Sequence, residues 1–217
     1  MNTKRSQRNY QRELTELLQR LPDKKTLFLH CCCAPCSSYV LEYRHSYFHI
    51  TVFFYNPNIT EEPEYEKRRE ELKRYLREAP FGYEIDVVDA DYEPEKFLQM
   101  AEGHEKDPER GERCRRCFAL RLKKTAEYAV AKGYDYFCTT LSISPHKDAH
   151  LLMEIGERLA GQYQVAYLPS DFKKCDGYKR SIALSEIYHL YRQDYCGCIY
   201  SKRAREQERA ERTVSVR

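Results

Sequence analysis

Apolar positions along the chain follow two spacings in alternation. Leucines at 14, 17, 18 and 21 fall at helical intervals and predict a helix over 5–21, closed by Pro22-Asp23. Short apolar runs without that spacing predict buried strands at 26–30 (TLFLH), 49–56 (HITVFFYN), 83–89, 134–140 and 164–169. The second of these is the clearest, because β-branched and aromatic residues suit a pleated surface. Helical stretches separate the strands at 37–47, 62–78, 93–102, 147–160 and 177–193. Another carries Cys117, Leu120, Ala126 and Tyr128 and stops at Gly133, a C-cap glycine. The helix over 62–78 is dense in charge of both signs and reads as a solvated face.

Strands alternating with helices predict an α/β fold with a largely parallel sheet and helices on both faces. The fold class expected is Rossmann-like, of the adenine-nucleotide α-hydrolase-like (HUP) kind. Residues 1–200 form one metal-binding catalytic domain in this reading, and 201–217 form a basic tail too polar to pack, either helical or disordered. No internal repeat is visible.

Length and charge narrow the class. A chain of 217 residues buries a sizeable single core. A net charge of +3 neither demands nor excludes nucleic acid, because a local patch matters more than the sum. The apolar runs are too short to span a bilayer. The polar, helix-like N-terminus lacks the apolar core of a signal peptide, which places the protein in the cytoplasm. There the ten cysteines are not expected to be structural disulfides.

Eight of those ten fall in three tight groups: Cys31, Cys32, Cys33 and Cys36; Cys114 and Cys117; Cys196 and Cys198. The first group occupies the turn between the first strand and the next helix, where open parallel sheets gather ligands. A phosphate-binding turn would carry glycines there. This one carries thiols, at a helix N-terminus whose dipole favours thiolate, the form that binds soft metals. The Cys-x-x-Cys of 114–117 also opens a predicted helix, and Gly197 lets the chain turn tightly between two sulfurs. Structural zinc would need four ligands and leave thiols over, so an iron–sulfur site is favoured, with a thiol redox relay as the other use.

The segments HCCCAPCSSYVLEY, FFYNPNITEEPEYEKRREEL, RCRRCFALRL, TTLSISPHKD and DFKKCDGYKRSIALSEIYHLYRQDYCGCIYS resemble, in that order, the QueH-type epoxyqueuosine reductases. The resemblance runs from about His30 to Ser201. It implies reduction of the epoxide of epoxyqueuosine in tRNA to queuosine without cobalamin, a [4Fe-4S] cluster and a separately coordinated adjacent iron. Two readings from other classes stand beside it, a thiol–disulfide oxidoreductase and a zinc-stabilised RNA-binding module without catalysis. The electron donor is not named by the sequence.

Deoxygenating an epoxide takes two electrons and two protons, so a cluster and a second, Lewis-acidic metal are both useful. The expected metal set is Cys32, Cys33, Cys36, Cys114, Cys117, Cys196 and Cys198. Within it, Cys33, Cys114, Cys117 and one of Cys196 and Cys198 are assigned to the cluster, and Cys32 and Cys36 to the second metal. Cys31, Cys138 and Cys175 lie outside the motif and are expected to fill the core. His30 and Asp194 are the candidate proton donors, with Tyr191 and Tyr195 as pocket-lining residues and Asn56 and Asn58 as base or ribose contacts. Lys173, Lys174, Lys179, Arg180, Arg192, Lys202, Arg203 and Arg205 flank this site as candidate tRNA phosphate contacts.

Overall fold

The computed structural model describes residues 8–215, with the side chains of 213–215 left aside. The part of the first predicted helix before residue 8 lies outside the described residues. Five strands, β1 (Lys25–His30), β2 (Phe48–Phe54), β3 (Asp86–Asp89), β4 (Tyr136–Thr139) and β5 (Ala166–Tyr167), form one sheet. Its order is β3-β2-β1-β4-β5, and every pairing is parallel. The helices are α1 (Tyr10–Arg20), α2 (Ala34–Arg44), α3 (Glu62–Glu78), α4 (Pro94–Ala101), α5 (Glu112–Ala131), α6 (Ala149–Tyr163), α7 (Gly177–Ile187) and α8 (Ile199–Ser215). This is the Rossmann-like α/β architecture expected. Strand order reverses beside β1, and in such sheets the crevice beyond the carboxyl ends at the reversal is the ligand site.

The core explains why these segments take these forms. Leu27, Phe28, Leu29, Val52, Phe53, Phe54 and Phe137 are buried within the sheet, so the central strands read as continuous apolar runs. Helices α2, α3 and α7 pack together, as do α4, α5 and α6, with α5 lying against β1 and β4. The helix over 62–78 is found as expected, but it is not merely a solvated face. Tyr65, Arg68, Leu72, Tyr75 and Leu76 form a buried stripe at helical spacing.

Four departures from the sequence reading have a local reason. The segment 82–84 is a 3-10 turn, because Gly82 lies so close to the Leu76 carbonyl that a Cβ would sit 1.7 Å from that oxygen. Strand β5 is two residues long; Leu168 still donates to the Phe137 carbonyl, but Pro169 has no N–H to continue the ladder. Helix α7 ends at Ile187, where Arg74 donates to the Tyr188 carbonyl (2.9 Å) and His189 turns to φ 48°. Finally, the tail from residue 201 is helical, and its first turn packs: Ser201 is buried and Tyr200 lies against Phe97.

Candidate metal centre

The turn after β1 places Cys31, Cys32 and Cys33 between strand and helix, and Pro35 and Cys36 both sit in the first turn of α2, which Ala34 opens. The sulfurs of Cys32, Cys33 and Cys36 lie within 4.8 Å of one another. Cys32 and Cys33 are 3.7 Å apart. That matches an edge of about 3.8 Å for a tetrahedron with metal–sulfur bonds of about 2.3 Å. These three thiols are a group that can hold one metal ion.

A second group is assembled from distant segments. Cys114 and Cys117 occupy one face of α5, while Cys196 and Cys198 come from the turn before α8, 3.4 Å apart. Cys117 and Cys198 share a small buried cluster with Phe97, against which Cys196 packs. The charge of Cys196 is felt at both Cys114 and Cys117. Cys33 therefore groups with Cys32 and Cys36, whereas the sequence reading had set it beside Cys114 and Cys117. Both Cys196 and Cys198 join the second group.

The turn at 196–198 is pinned from below. Arg68, 2% exposed, donates from Nη1 to the Cys196 carbonyl (3.2 Å) and from Nη2 to the Tyr195 carbonyl (3.3 Å), and pairs with Glu64. Asn58 Nδ2 donates to the same Cys196 carbonyl at 3.0 Å. Gly197 holds φ 106°, and a Cβ there would lie 2.7 Å from Ile59 Cγ1. Only glycine suits that conformation and that space. Asn56 is likewise structural, donating to the Cys31 carbonyl at 2.9 Å. Neither asparagine lines the cavity described next, so their expected contact with base or ribose is replaced by hold on the backbone.

Both groups open on one cavity of about 470 Å³ at the reversal of strand order. Cys32 and Cys36 line it from the β1 turn, Cys196 from the second group, and Leu141, Ile143 and Lys147 from the segment after β4. Cys32 Sγ lies 3.9 Å from Thr140 Oγ1, across the β1/β4 boundary. Buried Gln193 Oε1, from a residue of the same lining, has no hydrogen-bond partner among the described residues. Seven thiols in two groups and this orphaned oxygen fit a metal-bearing site.

In each group one thiol ionises ahead of its neighbours. Hydrogen bonds from Cys33 and Cys36 push Cys32 down, helped by Arg121. The same interaction pushes Cys33 up to about 12. In the second group a hydrogen bond from Cys198 pushes Cys196 down, with Lys147 adding to it, and Cys198 rises in exchange. The helix-dipole argument does not carry over to α5: burial raises Cys114, and Cys117 to about 11. Desolvation of a charged sulfur outweighs the dipole there. Metal binding would have to displace these protons.

His30 is not on the cavity wall. Fully buried, it contacts Thr139 Oγ1 (2.8 Å) and the Tyr55 carbonyl (3.1 Å), and burial together with Arg121 presses its pKa down to about 3. A neutral imidazole in those bonds is a structural tie between strands, so the proton-donor role expected of it does not fit this geometry. Asp194 does line the cavity, exposed and paired with Arg209. Tyr195 lines it too, whereas Tyr191 donates to Glu64 and Tyr188 packs edge-on to Tyr75.

Of the expected phosphate contacts, Arg192 and Arg205 line the cavity. Lys173 pairs with Asp171, Arg180 with Glu42 and Lys202 with Glu61. Lys174, Lys179 and Arg203 are exposed away from the cavity lining. Cys31 and Cys138 fill the core as expected, but Cys175 is exposed with φ 51°. The sequence reading missed Arg68, Arg121, Lys147, Arg209 and Arg212. Arg68 falls on the Tyr65–Leu72–Tyr75 stripe and Arg121 on the Cys114–Cys117 face, so helical spacing was the available signal. Lys147 stands in an irregular turn and left none.

Among the described residues no helix is long and apolar enough to cross a membrane. Residues 27–204 match the family model described as epoxyqueuosine reductase QueH. A curated protein of that name from Streptococcus pyogenes serotype M1 is 41% identical over 198 residues, covering 89% of this chain and 78% of the relative. One from Staphylococcus epidermidis is 40% identical over 200 residues, covering 89% and 84%. One from Thermotoga maritima is 33% identical over 192 residues, covering 86% and 95%. With the match spanning both thiol groups and most of the sheet and of the cavity between them, the chain belongs to the QueH family.

Proposed function

We propose that this protein is an epoxyqueuosine reductase, an oxidoreductase that acts in the cytoplasm on epoxyqueuosine in tRNA and leaves queuosine. The observation that carries the reading is that Cys32 and Cys36 of the three-thiol group and Cys196 of the four-thiol group line one cavity. The net change is an epoxide plus two electrons and two protons giving an alkene and water. Cys114, Cys117, Cys196 and Cys198 would hold a [4Fe-4S] cluster with all four thiols engaged. Cys32, Cys33 and Cys36 would hold the adjacent iron and leave a fourth position for substrate, the pattern of a catalytic rather than a structural site. When bound, the cluster supplies single electrons and the adjacent iron supplies a Lewis acid for the epoxide oxygen.

The chain's own groups do the remaining work. Lys147 is a proton-bearing cavity group. Burial opposes its charge, but Cys196, Cys114 and Glu109 outweigh that and raise its pKa. Tyr195, pushed up to about 12 chiefly by burial, is another. Leu141, Ile143 and Pro35 give the cavity apolar walls that limit water. Arg192, Arg205, Arg209 and Arg212 bring positive charge to the same cavity, suited to phosphates on either side of an extruded nucleotide. The test is single-turnover conversion of epoxyqueuosine tRNA by anaerobically iron-loaded protein with a chemical reductant, read by nucleoside mass spectrometry. Conversion to queuosine is expected. A colourless, zinc-loaded protein that binds the RNA without converting it would contradict the reading, as would conversion by metal-free protein.

A further inference from the structure

Cys114, Cys117 and Arg121 recur at i, i+3 and i+7 on α5 and share one face of that helix. Arg121 is 3% exposed and reaches from α5 to the carboxyl ends of β1 and β2. There its Nη2 donates to Asn56 Oδ1 at 2.6 Å and its Nε lies 3.3 Å from His30 Nε2. Both partners are neutral, and among the described residues no carboxylate forms an ion pair with it. Arg68, the other buried arginine of this region, has Glu64 as its counter-charge.

A guanidinium held out of water without a counter-charge costs several kcal/mol. Arg121 stands one turn beyond Cys117 on α5, and its partner Asn56 in turn holds the Cys31 carbonyl at the head of the three-thiol turn, so its charge stands between the two groups. It also lines the cavity on which both groups open.

We propose that Arg121 is a positioning residue that serves as the shared counter-charge of the two thiol groups, and that its fixed positive charge makes the centre held by Cys114, Cys117, Cys196 and Cys198 easier to reduce. This rests on the metal-bearing reading of the site given above. The reduction potential of an iron–sulfur centre responds to local charge and to hydrogen bonds at sulfur.

Arg121→Gln keeps amide donors for Asn56 and removes the charge, while Arg121→Lys keeps the charge and loses the planar fork. Each is prepared anaerobically beside the wild type, and iron per chain, thermal midpoint and cluster midpoint potential are measured. The glutamine protein is expected to load iron and to show a more negative potential, with the lysine protein close to wild type. An unchanged potential in Arg121→Gln, or an equal shift in both variants, would overturn the proposal. Should Arg121→Gln fail to fold or to load iron, Arg121→Lys decides: wild-type iron content and potential support the proposal, and their loss shows that the geometry matters and not the charge. A wild type that takes up no iron sinks the metal-bearing reading and this inference together, whereas a loaded wild type with an indifferent glutamine variant sinks this inference alone.

Discussion

The two thiol groups reach the same cavity by different routes. Cys32, Cys33 and Cys36 are neighbours in sequence, set by one strand end and the first turn of α2 with its Pro35. Their spacing is local, and it forms as soon as β1 and α2 do. Cys114 and Cys117 come from α5, and Cys196 and Cys198 arrive from some eighty residues later in the chain. That group exists only when the segment after α7 is brought back over the sheet and held there. The first group is a property of a turn, and the second is a property of the tertiary fold.

The largest effect that separates them should come from Arg68→Ala. This change removes the guanidinium's donors to the Tyr195 and Cys196 carbonyls, leaving Asn58 alone on the latter, and takes the ion-pair partner from Glu64. A loss of roughly 3–5 kcal/mol is expected for breaking a buried pair, equivalent to a thermal midpoint lower by on the order of 10 °C in a chain this size. Cluster absorbance should fall with it while the three-thiol group keeps its metal. Calorimetry and metal analysis on the same sample check both halves. Retention of full cluster absorbance would mean that the 196–198 turn holds its place without the clamp.

The contrast also marks how far the sequence could be read. The alternation of strands and helices followed from apolar periodicity, and the first thiol group was visible as a run of letters. The helix over 62–78 was located to the residue, yet its inward face was overlooked because charge dominated its composition. Arg68 is buried there through partners that lie 127 and 128 positions away, which no local pattern reports. The early end of α7 was hidden for the same reason, since Arg74 meets the Tyr188 carbonyl only in the folded chain. Cys33 lies with Cys32 and Cys36 and not beside Cys114 and Cys117, because spacing along the chain does not fix which sulfurs meet across a cavity. His30 looked like a proton donor at a strand end, and burial made it a neutral tie.

A smaller effect should leave both groups untouched. Arg192, Arg209 and Arg212 line the cavity that the groups share. Reversing all three to glutamate should weaken tRNA binding and reduce the slope of log affinity against log salt by about 2, from three contacts at about 0.7 each on a single strand. Iron content and absorbance should stay at wild-type values. The matching reversal of Lys174 and Lys179, exposed away from the cavity lining, should change the slope less. An equal or larger change from those two lysines would move the RNA path to another face.

Iron per chain and visible absorbance of anaerobically prepared Cys36→Ser and Cys117→Ser proteins test the division into two centres most directly. Cys117→Ser should lose the cluster absorbance and most of the iron. Cys36→Ser should keep the absorbance, lose the minor share of the iron, and still fail to convert epoxyqueuosine tRNA in a single turnover. Parallel loss of iron and absorbance in the two proteins, or an active Cys36→Ser protein with unchanged iron, would contradict the account.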